Sequence, residues 1–259
     1  MQFTRRTRQS ARRTRLFGSS TKTLKGDAYG WKTQISYLTP GGDLCPWATP
    51  GCRSMCLGVV SGHFQAPKGA ARQAQARRSA ELKALIHIGG LRAAALAYVA
   101  DITRPKDGDW SKVAVRVNGT SDLPALAEMV AQEARAAGKP ARFYDYTKSL
   151  RAALAWANGT SSIHRTFSLS ESNWSEAHTA LKAGCNVAAV CESESAAAVL
   201  AVLLGASLCI TGDAHDLRFL DPDQRGGQAG CLIWLTPKGK ARHDTTGFVV
   251  RQAHLDQTA

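Results

Sequence analysis

From Trp31 onward, short apolar or alternating runs take turns with longer stretches in which apolar residues return every three or four positions. The first run, residues 31–38 (Trp-Lys-Thr-Gln-Ile-Ser-Tyr-Leu), alternates as a half-buried strand does. Further strand-like runs fall at 113–117, 141–144, 163–169, 186–190, 207–211 and 231–235, with a short one near 248–251. Helix-like stretches lie between most of them, at 122–137, 148–157, 174–183 and 194–204. Residues 66–103 are rich in Ala, Arg, Leu and Gln, and predict two helices broken near Gly89 and Gly90. Residues 220–230 read as a loop.

Strands alternating with helices of this length predict an α/β domain with a mainly parallel sheet, because parallel neighbours need crossover connections. The number of units fits a TIM-like βα barrel, complete or partial; a doubly wound open sheet is the alternative. We divide the chain into a basic arm, residues 1–22, disordered or extended, and one α/β domain, residues 23–259.

Composition agrees with a packed domain: 44% of the 259 residues are hydrophobic. No unbroken apolar run reaches the roughly 18 residues of a bilayer span. The most apolar stretch, 196–210, is interrupted by Gly205 and Ser207. No apolar signal core follows the basic N-terminus, so a cytoplasmic location, without a membrane partner, is the expectation.

Charge adds a partner. The net charge is +13, and Arg5, Arg6, Arg8, Arg12, Arg13 and Arg15 crowd the first fifteen residues with no acidic residue among them. Such an arm attracts phosphate by counterion release, and arginine suits bidentate phosphate pairing. Nucleic acid, DNA or RNA, is the expected partner; a merely solvated tail is the plainer reading.

Seven cysteines are an odd number, and a reducing compartment disfavours disulfides. Cys185, Cys191, Cys209 and Cys231 lie in or beside apolar runs and read as small core residues. Cys45, Cys52 and Cys56 differ. They fall within twelve residues, on a loop with two prolines and a glycine that follows the first strand. Clustered thiolates bind soft metals. Three suit an iron–sulfur cluster, most readily of the four-iron type with one iron left open; zinc is the alternative, and would want a fourth ligand. His63, Asp43 and His215 are candidates for a remote ligand.

Polar residues also follow the other strands: Asn118, Ser121 and Asp122; Tyr144, Asp145, Tyr146 and Lys148; Ser168, Ser170, Glu171 and Asn173; Asp213, His215, Asp216 and Arg218. Parallel strands all end on one face, where α/β proteins build their sites. Asp145, Lys148, Asp213 and Asp216 are therefore the catalytic candidates, and Asp213, Asp216 and Arg218 are expected to form one network. Helix capping competes with function at Ser121 or Asp122 and at Ser172 or Asn173. No Walker loop, nucleophile elbow, dinucleotide fingerprint or zincin motif is present.

Five segments, Leu44–Cys52 with Cys56, Arg116–Asp122, Phe143–Lys148, Phe167–Asn173 and Gly212–Pro222, resemble a family of uncharacterised tailed-bacteriophage proteins across about Leu24–Val250. That resemblance implies a phage origin and a shared site, and no particular reaction. The cysteine loop also resembles that of radical S-adenosylmethionine enzymes, which are partial βα barrels with three cysteines after the first strand. The spacing here is six residues then three, against three then two in those enzymes. This second resemblance implies S-adenosylmethionine as a possible cofactor, with Asn118, Ser121, Asp122 and Ser170 as the residues to hold it.

The leading functional expectation is an iron–sulfur protein with a radical-enzyme-like barrel, acting on or binding nucleic acid or nucleotides. One alternative is a non-enzymatic nucleic-acid-binding protein with a structural cluster, in which Tyr144, Tyr146 and Trp47 stack bases. The other is a zinc-dependent hydrolase.

Overall fold

The computed structural model describes residues 13–18, 20–60, 64, 66, 68–106 and 108–256, with residues 21, 22 and 60 described by their backbone alone. Arg5, Arg6, Arg8, Arg12 and His63 lie outside the described residues.

Eight strands form one sheet: β1 (Lys32–Ile35), β2 (Val113–Arg116), β3 (Arg142–Thr147), β4 (His164–Ser168), β5 (Val187–Cys191), β6 (Cys209–Thr211), β7 (Leu232–Leu235) and β8 (Val249–Val250). Each pairing between them is parallel. The order is β1-β2-β3-β4-β5-β7-β6. The first five strands thus follow one another as in a βα barrel, while β7 comes between β5 and β6. Among the described residues no pairing joins β1 to β6, so hydrogen bonds do not close a ring. Val190 pairs with Leu235 on one side and Val249 on the other, so β8 occupies the side of β5 that β4 leaves after Ser168↔Ala188.

The helices are α1 (Thr21–Asp27), α2 (Pro50–Ser54), α3 (Leu57–Val60), α4 (Ala70–Asp101), α5 (Pro124–Ala136), α6 (Leu150–Ala157), α7 (Trp174–Lys182), α8 (Glu194–Leu204) and α9 (Gln252–Leu255). The expected break in α4 is present. Gly89 is non-helical and Gly90 takes φ 69°, a left-handed conformation that glycine adopts without strain. Beyond it, Ala94, Ala95, Tyr98 and Val99 pack with Leu126, Val130 and Ala134 of α5 and with Val113 and Val115 of β2. Alanines let the helices approach closely, and the Tyr98 hydroxyl lies 2.9 Å from that of Ser36. By length and composition α4 is apolar enough to cross a bilayer. A search for unbroken apolar runs passes over it, because Arg92 and the glycines interrupt it.

A second core forms where α6, α7 and α8 cover β4, β5 and β7, around Phe167, Leu181, Val187, Leu200 and Leu232. Cys185, Cys191 and Cys231 are buried as expected, but Cys209 is exposed. It lies on β6, the strand at the edge of the sheet.

The end of the basic segment lies extended against the domain. Leu16 is fully buried, and its amide donates to Asp101 Oδ2 at 2.7 Å. Arg13 pairs with Asp101 at 2.6 Å, and Arg15 donates to Thr103 Oγ1 at 2.9 Å. Gly18 makes an antiparallel bridge to Ile35 at the outer side of β1.

One buried base gives the fold a pH dependence. His164 on β4 is buried, its ring against Trp156 at 4.8 Å, and its Nδ1 has no hydrogen-bond partner among the described residues. Burial, helped by the positive charge of Arg142, pushes its pKa down to about 3. The unfolded chain therefore takes a proton as pH drops through 6.5, while the folded chain refuses it until about 3. Stability from this residue is complete above 6.5 and is lost towards acid at about 1.4 kcal/mol per pH unit. Urea titrations of wild type and His164→Gln should show unfolding free energies that converge by that amount per unit below 6.5. A difference that stays constant with pH would refute the assignment.

Candidate functional site

The loop after β1 is built from its own residues upward. A 3-10 turn at Gly42–Leu44 leads into Cys45. The next turn is closed by Ala48 N donating to Cys45 O at 3.1 Å, with Pro46 and Trp47 at its exposed corners. Pro50 then starts α2, where its missing N–H costs nothing. Thr49 caps that helix by accepting from Cys52 N at 3.2 Å. Cys56 lies between α2 and α3.

A carboxylate from across the sheet holds this loop. Glu171, just past β4, accepts from Gly51 N at 2.7 Å and from Thr49 Oγ1 at 2.8 Å. A Cβ at Gly51 would stand 2.6 Å from both Glu171 Oε2 and Thr246 Oγ1, so a larger residue there must displace the carboxylate that holds the loop. The loops after β1 and β4 are thereby joined by two hydrogen bonds.

The three cysteines open on one cavity of about 350 Å³ at the C-terminal ends of the strands. That volume is in the range of small-molecule sites. Its walls include Asn118, Ser121, Asp122 and Lys148, together with apolar Tyr37, Met55, Phe64, Leu235 and Phe248. The thiols sit near enough to feel one another. Burial, with smaller contributions from Cys52 and Cys45, pushes the Cys56 thiol up to about 11. Burial likewise raises Cys45, whose Sγ lies 3.7 Å from Thr120 O. In donor chemistry the set fits a thiolate-ligated metal group. Among the described residues, no three His, Cys, Asp or Glu side chains stand as a ready group to hold a metal ion.

The structure sorts the other candidates. Asn118, Ser121, Asp122 and Lys148 line the cavity; Asp145, Asp213, Asp216 and Ser170 do not. Asp145 is fully buried and accepts from Asn118 Nδ2 at 2.7 Å, with Arg165 and Arg116 at 3.7 and 3.8 Å. Burial pushes it up to about 6, against the pull of the two guanidiniums. Asp216 accepts from Arg116 Nη1 at 2.8 and 3.0 Å. Asp213 pairs with Lys238 at 2.6 Å, while Arg218 faces Asp221 at 3.2 Å. The side chains of Asp213, Asp216 and Arg218 thus take different ion-pair partners, while Arg218 N donates to Asp216 O at 3.0 Å. Ser170 donates its backbone N–H to Asn173 Oδ1 at 2.7 Å, and its buried hydroxyl is unpartnered.

Capping also works differently from expectation. Helix α5 starts at Pro124 with Leu123 as its N-cap and no side-chain cap. Ser121 instead donates to Asn118 Oδ1 at 2.8 Å. Asp122 reaches the next strand end, accepting from Thr147 Oγ1 and Lys148 N at 2.8 Å each. Asn173 is the N-cap of α7 but makes no side-chain cap bond. Asp122 thus positions Lys148, whose Nζ donates to Ser168 Oγ at 3.1 Å. No carboxylate is within ion-pair distance of that ammonium among the described residues.

Sequence reasoning passes over Arg116 and Glu171 as working groups. Arg116 lines the cavity with its guanidinium stacked on Tyr146 at 4.4 Å. Tyr144 is buried, and Arg116 covers one face of Tyr146, which lines the cavity. Trp47 is 49% exposed.

Fold and cavity together define a parallel βα protein with a cysteine-lined chamber at its strand ends. A family model described as Gene product 88 matches residues 4–252, and the chain belongs to that family. Its phage-type name agrees with the tailed-phage resemblance of the sequence. No curated protein and no solved structure matches the chain.

Proposed function

We propose that this protein carries an iron–sulfur cluster on Cys45, Cys52 and Cys56 and works on nucleic acid or a nucleotide in the host cytoplasm, in the manner of radical S-adenosylmethionine enzymes. One observation carries the reading: three thiols of a single stiff loop share a cavity with the polar ends of β2 and β3. Thiolates on a cluster each take a different iron, so they need not converge as ligands of one ion must. Three clustered thiolates with no fourth cysteine on the loop suit a cluster better than a closed zinc site, which wants four ligands. When bound, the cluster would supply electrons or Lewis acidity.

The chain's own residues have separable tasks in this reading. Asn118, Ser121 and Asp122 offer the polar contacts for a cofactor such as S-adenosylmethionine. Lys148, the cavity's ammonium without a carboxylate partner, orients an anionic group. Asp145 and Asp216 act from behind, by holding Asn118 and Arg116. Arg5, Arg6, Arg8 and Arg12 serve phosphate, while Arg13 and Arg15 are already bound to the domain.

The test is anaerobic purification with iron and sulfide analysis. Brown protein with absorbance at about 400 nm is expected, and reduced protein should cleave S-adenosylmethionine. Colourless protein that holds one zinc, or no metal after reconstitution, would overturn the reading.

A further inference from the structure

We propose that the ridge outside the cysteine cavity, formed by Trp47, Arg53, Lys240 and Arg242, is the docking surface for a single-stranded nucleic acid, which it feeds toward Lys148. This rests on the reading of the cavity as the working site.

The ridge follows from how the cavity is walled. Cys52 and Ala241 both line it, from α2 and from the 3-10 turn Gly239–His243. Met55, Ala241 and Val249 pack together and join these two segments. Arg53 follows Cys52, and Lys240 and Arg242 flank Ala241, so three exposed cations are carried by the two packed segments that wall the cavity. None has a carboxylate within ion-pair distance among the described residues. Of the acids nearby, Asp213 is neutralised by Lys238, while Glu171 and Asp244 accept from neutral N–H and O–H donors and keep their charge. The three cations outnumber those two carboxylates and meet neither in an ion pair, which leaves a net positive surface for a phosphate backbone.

Trp47 gives the ridge its preference for a single strand. It stands at the tip of a tight turn between two cavity residues, Cys45 and Ala48. Among the described residues no ring or cation stacks on it. Trp47 sits on the same loop as Arg53 and is 49% exposed, and an exposed indole of this kind offers a face on which an unpaired base can stack. A paired base is not available to it, and the cavity behind admits a base only once it has left its stack.

The experiment uses the full chain, both metal-free and reconstituted. Fluorescence anisotropy follows a labelled single-stranded DNA of mixed sequence and its RNA counterpart across a salt series. Combined Arg53→Ala, Lys240→Ala and Arg242→Ala should weaken binding by about tenfold or more and lower the salt slope by about two, at roughly 0.7 per phosphate contact. Trp47→Ala should weaken binding by about tenfold with an unchanged slope, because stacking releases no counterions. Wild-type binding by the triple variant would overturn the proposal. So would competition by duplex DNA or polyglutamate as effective as that by the strand, or no binding of either strand by wild type. Loss of binding in the variants of a protein that takes up no iron would leave the ridge standing and remove the cluster. A brown protein whose triple variant binds normally would do the reverse.

Discussion

Asp216→Ala is expected to destabilise the protein by about 3–5 kcal/mol, the cost of leaving one partner of a buried ion pair unmatched. Arg116 and Asp216 are both 6% exposed, and Arg116 Nη1 reaches both carboxylate oxygens. Truncating the acid strips the guanidinium of its nearest countercharge and leaves Asp145 at 3.8 Å, which Arg165 already shares. The Tyr144 hydroxyl loses its 3.3 Å acceptor as well. Asp216→Asn keeps an acceptor oxygen and should cost clearly less. Urea unfolding at neutral pH reads both values. A loss under about 1 kcal/mol for the alanine variant would show that Arg116 is supported from elsewhere.

The second large effect concerns iron. Cys45→Ala, Cys52→Ala and Cys56→Ala should each lower bound iron by at least about tenfold, with the visible absorbance going in parallel. The exposed Cys209 on β6 is the control, and Cys209→Ala should keep both. Circular dichroism separates loss of ligand from loss of fold. Because burial holds Cys56 at about 11 without metal, loading must displace protons and should weaken as pH falls. A variant at any of the three positions that folds and retains full iron would remove that residue from the ligand set.

Much of the fold is legible in the residues. Period-two and period-three-to-four patterns locate the strands, the helices and the break at Gly89–Gly90, because each reports which face of an element is buried. The order of the last strands is not legible. Nothing local in Cys209–Thr211 or Leu232–Leu235 tells which one meets β5. Within the site, the three cysteines, Asn118, Ser121, Asp122 and Lys148 can be found, since each follows a strand. Asp216 shares that position but turns inward to Arg116, while Asp145 lies inside β3, which runs to Thr147 and not only to 144. Side-chain direction there depends on which partner lies across the sheet. Arg116 hides as one charge inside an apolar strand, and Glu171 as one acid in a polar loop. Their roles exist only through contacts with Asp216 and Gly51, about a hundred residues away in the chain.

The seat of Gly51 also bears on how the chamber can open. Glu171 takes the Gly51 amide and the Thr49 hydroxyl together, so the loop after β1 cannot swing outward without breaking both bonds to the loop after β4. Any widening on that side is therefore a joint movement of two strand-end loops.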